Sequence, residues 1–234
     1  MSSSPAALDP VVLGLIDGDR VLDLGCGFGK WGTLCKACWF DTAHHRATER
    51  MAPALVVGLD RHRPNLARLR GRDEYHGLAQ GDAFRLPFAD RSFAVVLASE
   101  LIEHLTGDEG EQLLREAQRV ARRSVIITTP QYPEKRAGDA NPHEWHRSIW
   151  TIEHLRARGF MVHGVGCQVP YFAPDFPGAV RYPLWARPYY RLYRWLRDRR
   201  GHDLNALVAR LGGNFCFHHP RWGSYLVAVK RLPA

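Results

Sequence analysis

The sequence predicts an α/β fold, a doubly wound and mostly parallel sheet of seven strands, on three observations. A short apolar strand runs directly into a glycine-rich turn, in RVLDLGCGFGKWG at residues 20–32. Six further apolar segments follow, and most of them alternate with helical segments, as strands and crossover helices do. The chain has 234 residues, of which 45% are hydrophobic, enough for one substantial core. We therefore expect a single domain over residues 1–234.

The elements follow in chain order. The predicted strands lie at Val21 to Leu24, Leu55 to Leu59, Tyr75 to Ala79, Phe93 to Ala98, Ser124 to Thr129, Phe160 to Val165 and Ser224 to Lys230. The predicted helices lie at Lys30 to about Arg50, Leu66 to Arg70, Gly110 to Ala121 and Thr151 to Arg158. In an open sheet of this kind, ligands bind beyond the carboxyl ends of the strands, so the loops there are the candidate site.

The glycine turn predicts a binding site for a nucleotide-type cofactor. Gly25, Gly27 and Gly29 alternate along it, which permits positive φ angles and close approach of a ligand to the backbone. The helix that follows begins with unpaired N–H groups. Asp60 ends the second strand, where an acid can accept hydrogen bonds from ribose hydroxyls. Similar turns occur in dinucleotide-binding folds, so the later motifs must decide between the cofactors.

Charge and cysteine content restrict partners and compartment. The formal net charge of +8 gives a basic surface that attracts phosphate groups, nucleic acid or anionic lipid. Five dispersed cysteines do not form a disulfide framework, and MSSSPAALDP lacks the succession of regions of a signal peptide. No apolar run approaches the length of a membrane span. We expect a soluble, cytoplasmic protein without a transmembrane segment, and the sequence does not determine its oligomeric state.

A group of acids and histidines is predicted beside the cofactor. Glu100, Glu103 and His104 follow the fourth strand at i, i+3 and i+4, and share one face if the segment is helical. Two carboxylates converging in a cleft repel each other unless one is protonated or a cation lies between them. His146 lies on a polar loop expected to reach the same cleft. We predict that these four residues bind Mg²⁺ or Mn²⁺; alternatively, Glu100, His104 and His146 act without a metal, the histidines as proton acceptors.

A basic insertion separates strands six and seven. Residues 167–221 contain nine arginines against three aspartates. An apolar stripe at i, i+3, i+4 and i+7 predicts an amphipathic basic helix from Tyr189 to Arg200. This insertion either packs on the core or forms a lid whose arginines receive a phosphate, a carboxylate, nucleic acid or a membrane surface. Because the residues before Arg20 are too few to form much of a cap, we expect the insertion to cover the cofactor.

The motifs DLGCGFG, GLD, GDAFRLPFADRSFAVV and SELIEHL, taken in order, resemble those of class I S-adenosylmethionine-dependent methyltransferases. The resemblance covers roughly Arg20 to Gly166 and implies a Rossmann-like fold with S-adenosyl-L-methionine as cofactor. By this resemblance the acid and glycines of the turn shape the methionine and ribose pocket, the GLD acid holds the ribose and the GDA residues contact adenine. The implied cofactor residues are Asp23, Gly25, Cys26, Gly27, Gly29, Asp60, Arg61, Asp82, Ala83 and Ser99.

The E-x-x-E-H spacing, with His146 before a later W-T, resembles the metal site of small-RNA 2′-O-methyltransferases. Its first half also resembles ubiquinone-pathway O-methyltransferases. We expect O-methylation of a small-molecule biosynthetic intermediate, anionic or diol-containing, with a metal assisting. The alternatives are an RNA 2′-O-methyltransferase and a non-catalytic methyltransferase-like binding module. The chain has no separate RNA-binding motif, which disfavours nucleic acid, and its intact glycine turn argues against a non-catalytic module.

Overall fold

The computed structural model describes residues 4–45, 53–131, 145–166 and 213–233, and within them the predicted seven-stranded sheet is confirmed. The strands are β1 Arg20–Leu24, β2 Leu55–Asp60, β3 Gly77–Gln80, β4 Phe93–Ser99, β5 Ala121–Pro130, β6 Met161–Val165 and β7 Tyr225–Arg231. The α-helices are α1 Asp9–Leu15, α2 Lys30–His45, α3 Arg63–Leu69, α4 Gly107–Val120, α5 Ile152–Ala157 and α6 at 213–218. Single 3₁₀ turns lie at Ala6–Leu8, Ile102–His104 and Pro220–Trp222.

The strand order is β3-β2-β1-β4-β5-β7-β6, and β7 alone runs antiparallel to its neighbours. The chain leaves β1 toward β2 and β3 in one direction, then returns to β4 and continues in the other. The order of strands therefore reverses between β1 and β4. In a doubly wound sheet, this reversal opens a crevice beyond the carboxyl ends of these two strands.

Two apolar layers cover the sheet, one on each face. Every residue of β4 is buried, as expected of a central parallel strand. Because side chains alternate along a strand, Val96 of β4 joins the cluster on one face while Val95 joins the cluster on the other. The central strands thus hold the crevice residues on a rigid frame. None of the helices in the described ranges is both long enough and apolar enough to cross a membrane.

The N-terminal segment corrects one expectation. The sequence predicts that residues before Arg20 form little of a cap, yet Leu8 and Val12 are completely buried in the apolar cluster on one face of the sheet. The hydroxyl of Ser4 lies 3.2 Å from that of Ser99 at the end of β4. The prediction failed because a 3₁₀ turn and the short helix α1 bury enough apolar surface to order these few residues.

Parts of three predictions fall outside the described residues. They are the end of the first helix near Arg50, the helix from Tyr189 to Arg200 and the lid at 167–212. Whether residues 1–234 form a single domain therefore stays a prediction. The described end of the insertion, 213–221, contains α6 and the start of a 3₁₀ turn.

Candidate active site

The turn between β1 and α2 is built from glycines in conformations that other residues rarely adopt. The φ angles of Gly25, Gly27 and Gly29 are 69°, 52° and 90°. A Cβ at Gly25 would lie 2.8 Å from a side-chain carbon of Leu101. The N–H groups of Gly25 and Cys26 donate to the carbonyl of Leu59, at 2.8 and 3.0 Å. The turn is consequently fixed against the end of β2, with its backbone facing the crevice.

Asp60 holds the same turn through its side chain. Its Oδ2 accepts from the N–H of Gly27 at 2.9 Å and from Asn65 Nδ2 at 3.1 Å. Its Oδ1 accepts from the N–H of His62 at 2.7 Å. A carboxylate has about four acceptor positions, so Asp60 retains capacity for a further donor. The predicted contact with ribose hydroxyls is therefore compatible with this arrangement.

Asp23 is a buried acid with one open oxygen. It is 1% exposed, and its Oδ2 accepts from the hydroxyl of Tyr75 at 2.5 Å. Its Oδ1 is buried and has no hydrogen-bond partner among the described residues. Burial raises the pKa of Asp23 to about 7; the Tyr75 hydroxyl opposes this shift and the Asp60 carboxylate adds to it. An orphaned acceptor beside a glycine turn fits a cofactor that brings a donor group.

Cys26 takes part through its backbone only. Its side chain is 4% exposed and belongs to the same core cluster as Val56 and Tyr75. Burial, followed by the nearby Asp23 and Asp60, raises the pKa of its thiol, so the group stays protonated. The structure thus places Cys26 in the turn as a small packed residue, as its size suggests.

The residues predicted for the adenine side lie next to Asp60. The N–H of Gly81, which follows β3, donates to the backbone carbonyl of Asp60 at 3.2 Å. The Arg61 guanidinium pairs with the Asp82 carboxylate at 3.1 Å, and both side chains are partly exposed. Ala83 is buried in one of the core clusters. The structure thus pairs Arg61 with Asp82 after β2 and β3 and places Ala83 in the core, while their contact with adenine stays a prediction.

Glu100 does not lie on a helix with Glu103 and His104, and that prediction is wrong. Glu100 has a φ of 52° and precedes the single 3₁₀ turn Ile102–His104. Its N–H donates to the backbone carbonyl of Thr128 at 3.0 Å, so the segment continues the pairing of β4 with β5 instead of starting a helix. A positive φ at a non-glycine residue stores strain of order 1 kcal/mol, and such strain concentrates at functional sites.

The carboxyl group of Glu100 is held by the hydroxyl of Thr128 on the neighbouring strand β5. Its Oε1 accepts from Thr128 Oγ1 at 2.9 Å, and that hydroxyl also contacts Ser99 Oγ at 2.9 Å. Burial raises the pKa of Glu100 to about 7, while the Thr128 hydroxyl and the Lys30 ammonium oppose the shift. Glu100 can therefore exchange a proton near neutral pH at the end of β4.

Three of the four predicted metal ligands come together. Glu103, His104 and His146 each offer one donor atom, and these atoms lie within 4.8 Å of one another. The imidazole rings of His104 and His146 are 5.0 Å apart between centroids. Glu103 is 1% exposed, its Oε2 accepts from Thr129 Oγ1 at 3.1 Å, and burial raises its pKa. Glu100 is not part of this three-residue group.

The polar loop reaches the crevice through backbone hydrogen bonds. The N–H groups of Arg147 and Ser148 donate to the carbonyl of Glu103 at 2.7 and 3.1 Å. His146 immediately precedes them, so these bonds position its ring beside His104. The structure therefore brings His146 next to His104, and the prediction that the loop faces the substrate stays a prediction.

Comparison with known proteins adds to this geometry. Residues 22–128, which run from β1 to the end of β5, match the family model described as a methyltransferase domain. These residues, just under half of the chain, therefore carry a methyltransferase domain. The glycine turn, Asp60 and the crevice at β1 and β4 all lie within the matched residues.

The chain is similar to several proteins named as methyltransferases over part of their length. Methyltransferase GfsG of Streptomyces halstedii is 34% identical over 111 residues, covering 45% of this chain and 34% of that protein. Sterol 24-C-methyltransferase of Pneumocystis carinii is 26% identical over 146 residues, covering 60% and 35%. The match therefore spans about a third of each of these relatives. A solved S-adenosylmethionine-dependent methyltransferase from Archaeoglobus fulgidus shares the fold, with a TM-score of 0.53 at 18% identity over 97% of this chain and 92% of that one.

Sequence reasoning missed several residues at the site of this methyltransferase. Lys30, the first residue of α2, donates to the Ser4 carbonyl at 2.7 Å and pairs with Asp9 at 2.6 Å. No sequence signal links residues so far apart. Thr128 and Thr129 could have been found, because two threonines ending β5 lie opposite the end of β4, where the acids are.

Proposed function

We propose that this methyltransferase transfers a methyl group from S-adenosyl-L-methionine to an oxygen of a small-molecule biosynthetic intermediate. The observation that carries the proposal is the pair of imidazoles, His104 and His146, whose ring centroids are 5.0 Å apart. Glu100, at the end of β4, is a separate group whose pKa burial raises to about 7. An alcohol or phenol must lose a proton as it attacks, and groups that accept protons near neutral pH serve this step. Relatives named for sterol methylation support a small-molecule acceptor.

The residues of the crevice fit the cofactor. Asp23 offers a buried acceptor to the amino group of the methionine part, the glycine turn admits the backbone of that part, and Asp60 accepts from ribose hydroxyls. Asp82 and Ala83 border the adenine, with Arg61 orienting Asp82. When bound, the cofactor supplies an electrophilic methyl group on a sulfonium. The protein's own part is to align the acceptor oxygen in line with that methyl, to exclude water and to take the proton.

As the alternative to proton transfer to the histidines, we propose a divalent cation held by Glu103, His104 and His146. The donor set of one carboxylate and two imidazoles fits zinc, manganese or iron(II) better than magnesium, which prefers oxygen ligands. A cation would also stabilise the buried Glu103 as an anion, which burial alone disfavours. With the metal bound, its chemistry would be to lower the pKa of a hydroxyl on an acceptor such as a vicinal diol.

Metal content tests this second proposal independently of activity. Wild type, Glu103→Gln and Glu100→Gln are stripped with chelator, reloaded with Zn²⁺ or Mn²⁺, and measured for bound metal and melting temperature. We expect one ion per wild-type chain, a loss of binding in Glu103→Gln and retention in Glu100→Gln, because Glu100 lies outside the group. Equal metal content in all three proteins would contradict the proposed ligands.

Methyl-labelled donor tests the main proposal. The enzyme is incubated with labelled S-adenosyl-L-methionine and a cell extract separated into RNA, protein and small-molecule fractions. We expect label among the small molecules, and a loss of about 10²-fold or more in kcat for His104→Gln and His146→Gln. His154→Gln, an exposed histidine on α5, is the matched control and should keep full activity.

Other outcomes would favour the alternatives. Label in the RNA fraction would favour an RNA 2′-O-methyltransferase. Tight binding of S-adenosylhomocysteine without any transfer would favour a binding module. We also propose a cytoplasmic location, supported by the five dispersed cysteines of the sequence, which do not form a disulfide framework.

A further inference from the structure

Exposed aromatic side chains lie together on the chain between β6 and β7. Phe215 on α6 and Trp222 on the last 3₁₀ turn are 52% and 43% exposed, and their ring centroids are 6.4 Å apart. The ring of His219 contacts that of Phe215 at 4.4 Å, and the Arg221 side chain beside them is 80% exposed. We call Phe215, His219, Arg221 and Trp222 the rim patch.

The rim patch is held firmly against the sheet. Cys216 and Pro220, which alternate with the exposed residues, are buried. A Cβ at Gly164 of β6 would lie 2.5 Å from the carbonyl oxygen of Cys216 and 2.8 Å from Pro220 Cα. Only glycine at this position allows the segment to approach so closely. Large apolar side chains exposed on such a rigid support indicate a surface that binds a partner.

The charge of the rim patch favours an anionic partner. Residues 213–224 contain no aspartate or glutamate. The nearest ion pair joins Arg221 to Glu153 at 3.6 Å, with both side chains largely exposed, so it contributes little and leaves Arg221 accessible. The sequence that leads into the patch, 167–212, carries eight arginines against three aspartates. Aromatic side chains combined with cations are typical of surfaces that bind the interface of an anionic bilayer.

The rim patch borders the same edge of the sheet as the crevice. The N–H of Ser224 donates to the carbonyl of Val165 at the end of β6, and the N–H of Gln131, which follows β5, donates to the carbonyl of Ser224. Both contacts lie at carboxyl ends of strands that are parallel to β4. Since β6 is three strand positions from β4, the patch lies about 14 Å along the sheet from the crevice.

We propose that the rim patch docks the methyltransferase on an anionic lipid bilayer, inserting Phe215 and Trp222 at the level of the headgroups. Single-stranded nucleic acid would also use aromatic and basic side chains, but it needs open ring faces for stacking. Phe215 is already in contact with His219 and Trp222, whereas a bilayer requires only exposed apolar area. As a corollary that rests on the proposed function, the acceptor is a lipophilic molecule that partitions into the bilayer.

Vesicle sedimentation of the full-length protein tests the docking. Vesicles of phosphatidylcholine with about 30% phosphatidylglycerol are compared with vesicles of phosphatidylcholine alone, an anionic fraction chosen to give a negative surface potential. We expect wild type to sediment with the anionic vesicles, and Phe215→Ser with Trp222→Ser to lower the partition coefficient by about tenfold or more. Met161→Ser is the matched control, because Met161 is 57% exposed at the start of β6, whereas the rim patch packs near the other end of that strand. Arg221→Glu should remove the preference for anionic vesicles.

Each variant is first checked for an unchanged melting temperature and unchanged binding of S-adenosylhomocysteine. Equal sedimentation of wild type and the variant that combines Phe215→Ser with Trp222→Ser would overturn the docking. Retention of labelled RNA without vesicle binding would overturn it as well. Docking and methyl transfer can be told apart by adding labelled donor to protein on vesicles loaded with a lipid extract. Sedimentation without labelled lipid would contradict the lipophilic acceptor and leave the docking intact.

Discussion

Two acidic side chains organise the cofactor crevice at the scale of single residues. Asp60 accepts from the Gly27 N–H in the turn before α2 through one oxygen and from the His62 N–H before α3 through the other, so a ribose would meet a carboxylate that is already oriented. Asp23 is different, because one of its oxygens is buried without a hydrogen-bond partner in the described part of the chain and burial raises its pKa to about 7. Between about pH 4 and pH 7, the folded protein without ligand therefore keeps a proton on Asp23 that an unfolded chain would release.

The raised pKa of Asp23 predicts a specific pH dependence of stability. The folded state holds the Asp23 proton more tightly than the unfolded state does. The resulting stabilisation of the folded state is complete below about pH 4 and is lost as pH rises to about 7. We expect the free energy of unfolding of wild type, measured relative to Asp23→Asn, to fall across this range by a few kcal/mol and to level off above it. Urea titrations at several pH values measure the difference.

Tyr75→Phe provides the control for Asp23. The Tyr75 hydroxyl lowers the pKa of Asp23, so removing this hydroxyl should extend the loss of stability to higher pH. A difference between wild type and Asp23→Asn that does not change with pH would contradict the assignment of the proton to Asp23.

The sequence was informative about residues whose role follows from their position at a strand end. The glycine turn, Asp60 and Asp82 were predicted because strand periodicity alone places them at the carboxyl edge. The conformation of Glu100 was not predictable, because it depends on a hydrogen bond to Thr128 that exists only once β4 and β5 are in register. The contact of Lys30 with Ser4 likewise depends on how a distant segment packs.

The packing of α4 against Trp150 connects two elements of the acceptor side. A Cβ at Gly110 of α4 would overlap Trp150 Cζ2. Trp150 is 4% exposed, its Nε1 donates to Ser148 Oγ at 2.9 Å, and the Arg158 guanidinium lies over its ring. The ring therefore has little freedom to move, and the loop that carries His146 depends on it.

Alanine at Gly110 tests this packing. Helix propensity alone would favour Gly110→Ala by about 1 kcal/mol, but overpacking against a fixed ring costs about 1–3 kcal/mol. We expect a net loss of stability and reduced kcat, because His146 moves with the loop. Gly107→Ala on the same helix has no atom within 4 Å of the new Cβ and should be neutral. Thermal melts and initial rates of both variants measure these effects. A more stable, fully active Gly110→Ala protein would refute the coupling between the packing of Trp150 and the position of His146.

The N-terminal segment depends on Lys30. Its ammonium binds Asp9 and the Ser4 carbonyl with both ionic side chains about four-fifths buried, so the pair is only partly screened by water. We expect Lys30→Met to speed amide hydrogen exchange of residues 4–16 roughly fivefold, corresponding to about 1 kcal/mol. Lys36 lies on the same helix as Lys30 and pairs with the fully exposed Asp73. Lys36→Met removes that pair and should leave the exchange of residues 4–16 unchanged. Equal exchange in both variants would mean that apolar packing alone holds the segment.

At the scale of the whole molecule, the crevice between β1 and β4 connects the two halves of the sheet. A ligand bound there contacts residues that follow β1, β2, β3 and β4, so it should stabilise the native state as a unit. Linkage gives about 2.7 kcal/mol at a ligand concentration of 100 Kd. For a chain of this size, this corresponds to a rise in Tm of roughly 5–10 °C.

Differential scanning fluorimetry measures this effect. S-adenosylhomocysteine should raise Tm by the stated amount, and Asp60→Asn should reduce the rise, because an amide cannot accept from the Gly27 N–H, Asn65 and a ribose as a carboxylate does. NAD⁺ at the same concentration serves as the comparison. A larger rise with NAD⁺ than with S-adenosylhomocysteine would exclude the proposed cofactor.

The position of β7 affects how the protein is made. This strand lies between β5 and β6 but is synthesised after both, so a nascent chain that has completed β6 carries a gap in its sheet. The apolar edge of β5 stays unpaired until residues 225–231 leave the ribosome. Unpaired edges of this kind promote aggregation and attract chaperones. Translation pauses or premature stops between β6 and β7 should therefore give insoluble product, even though every residue of the cofactor crevice has already been synthesised.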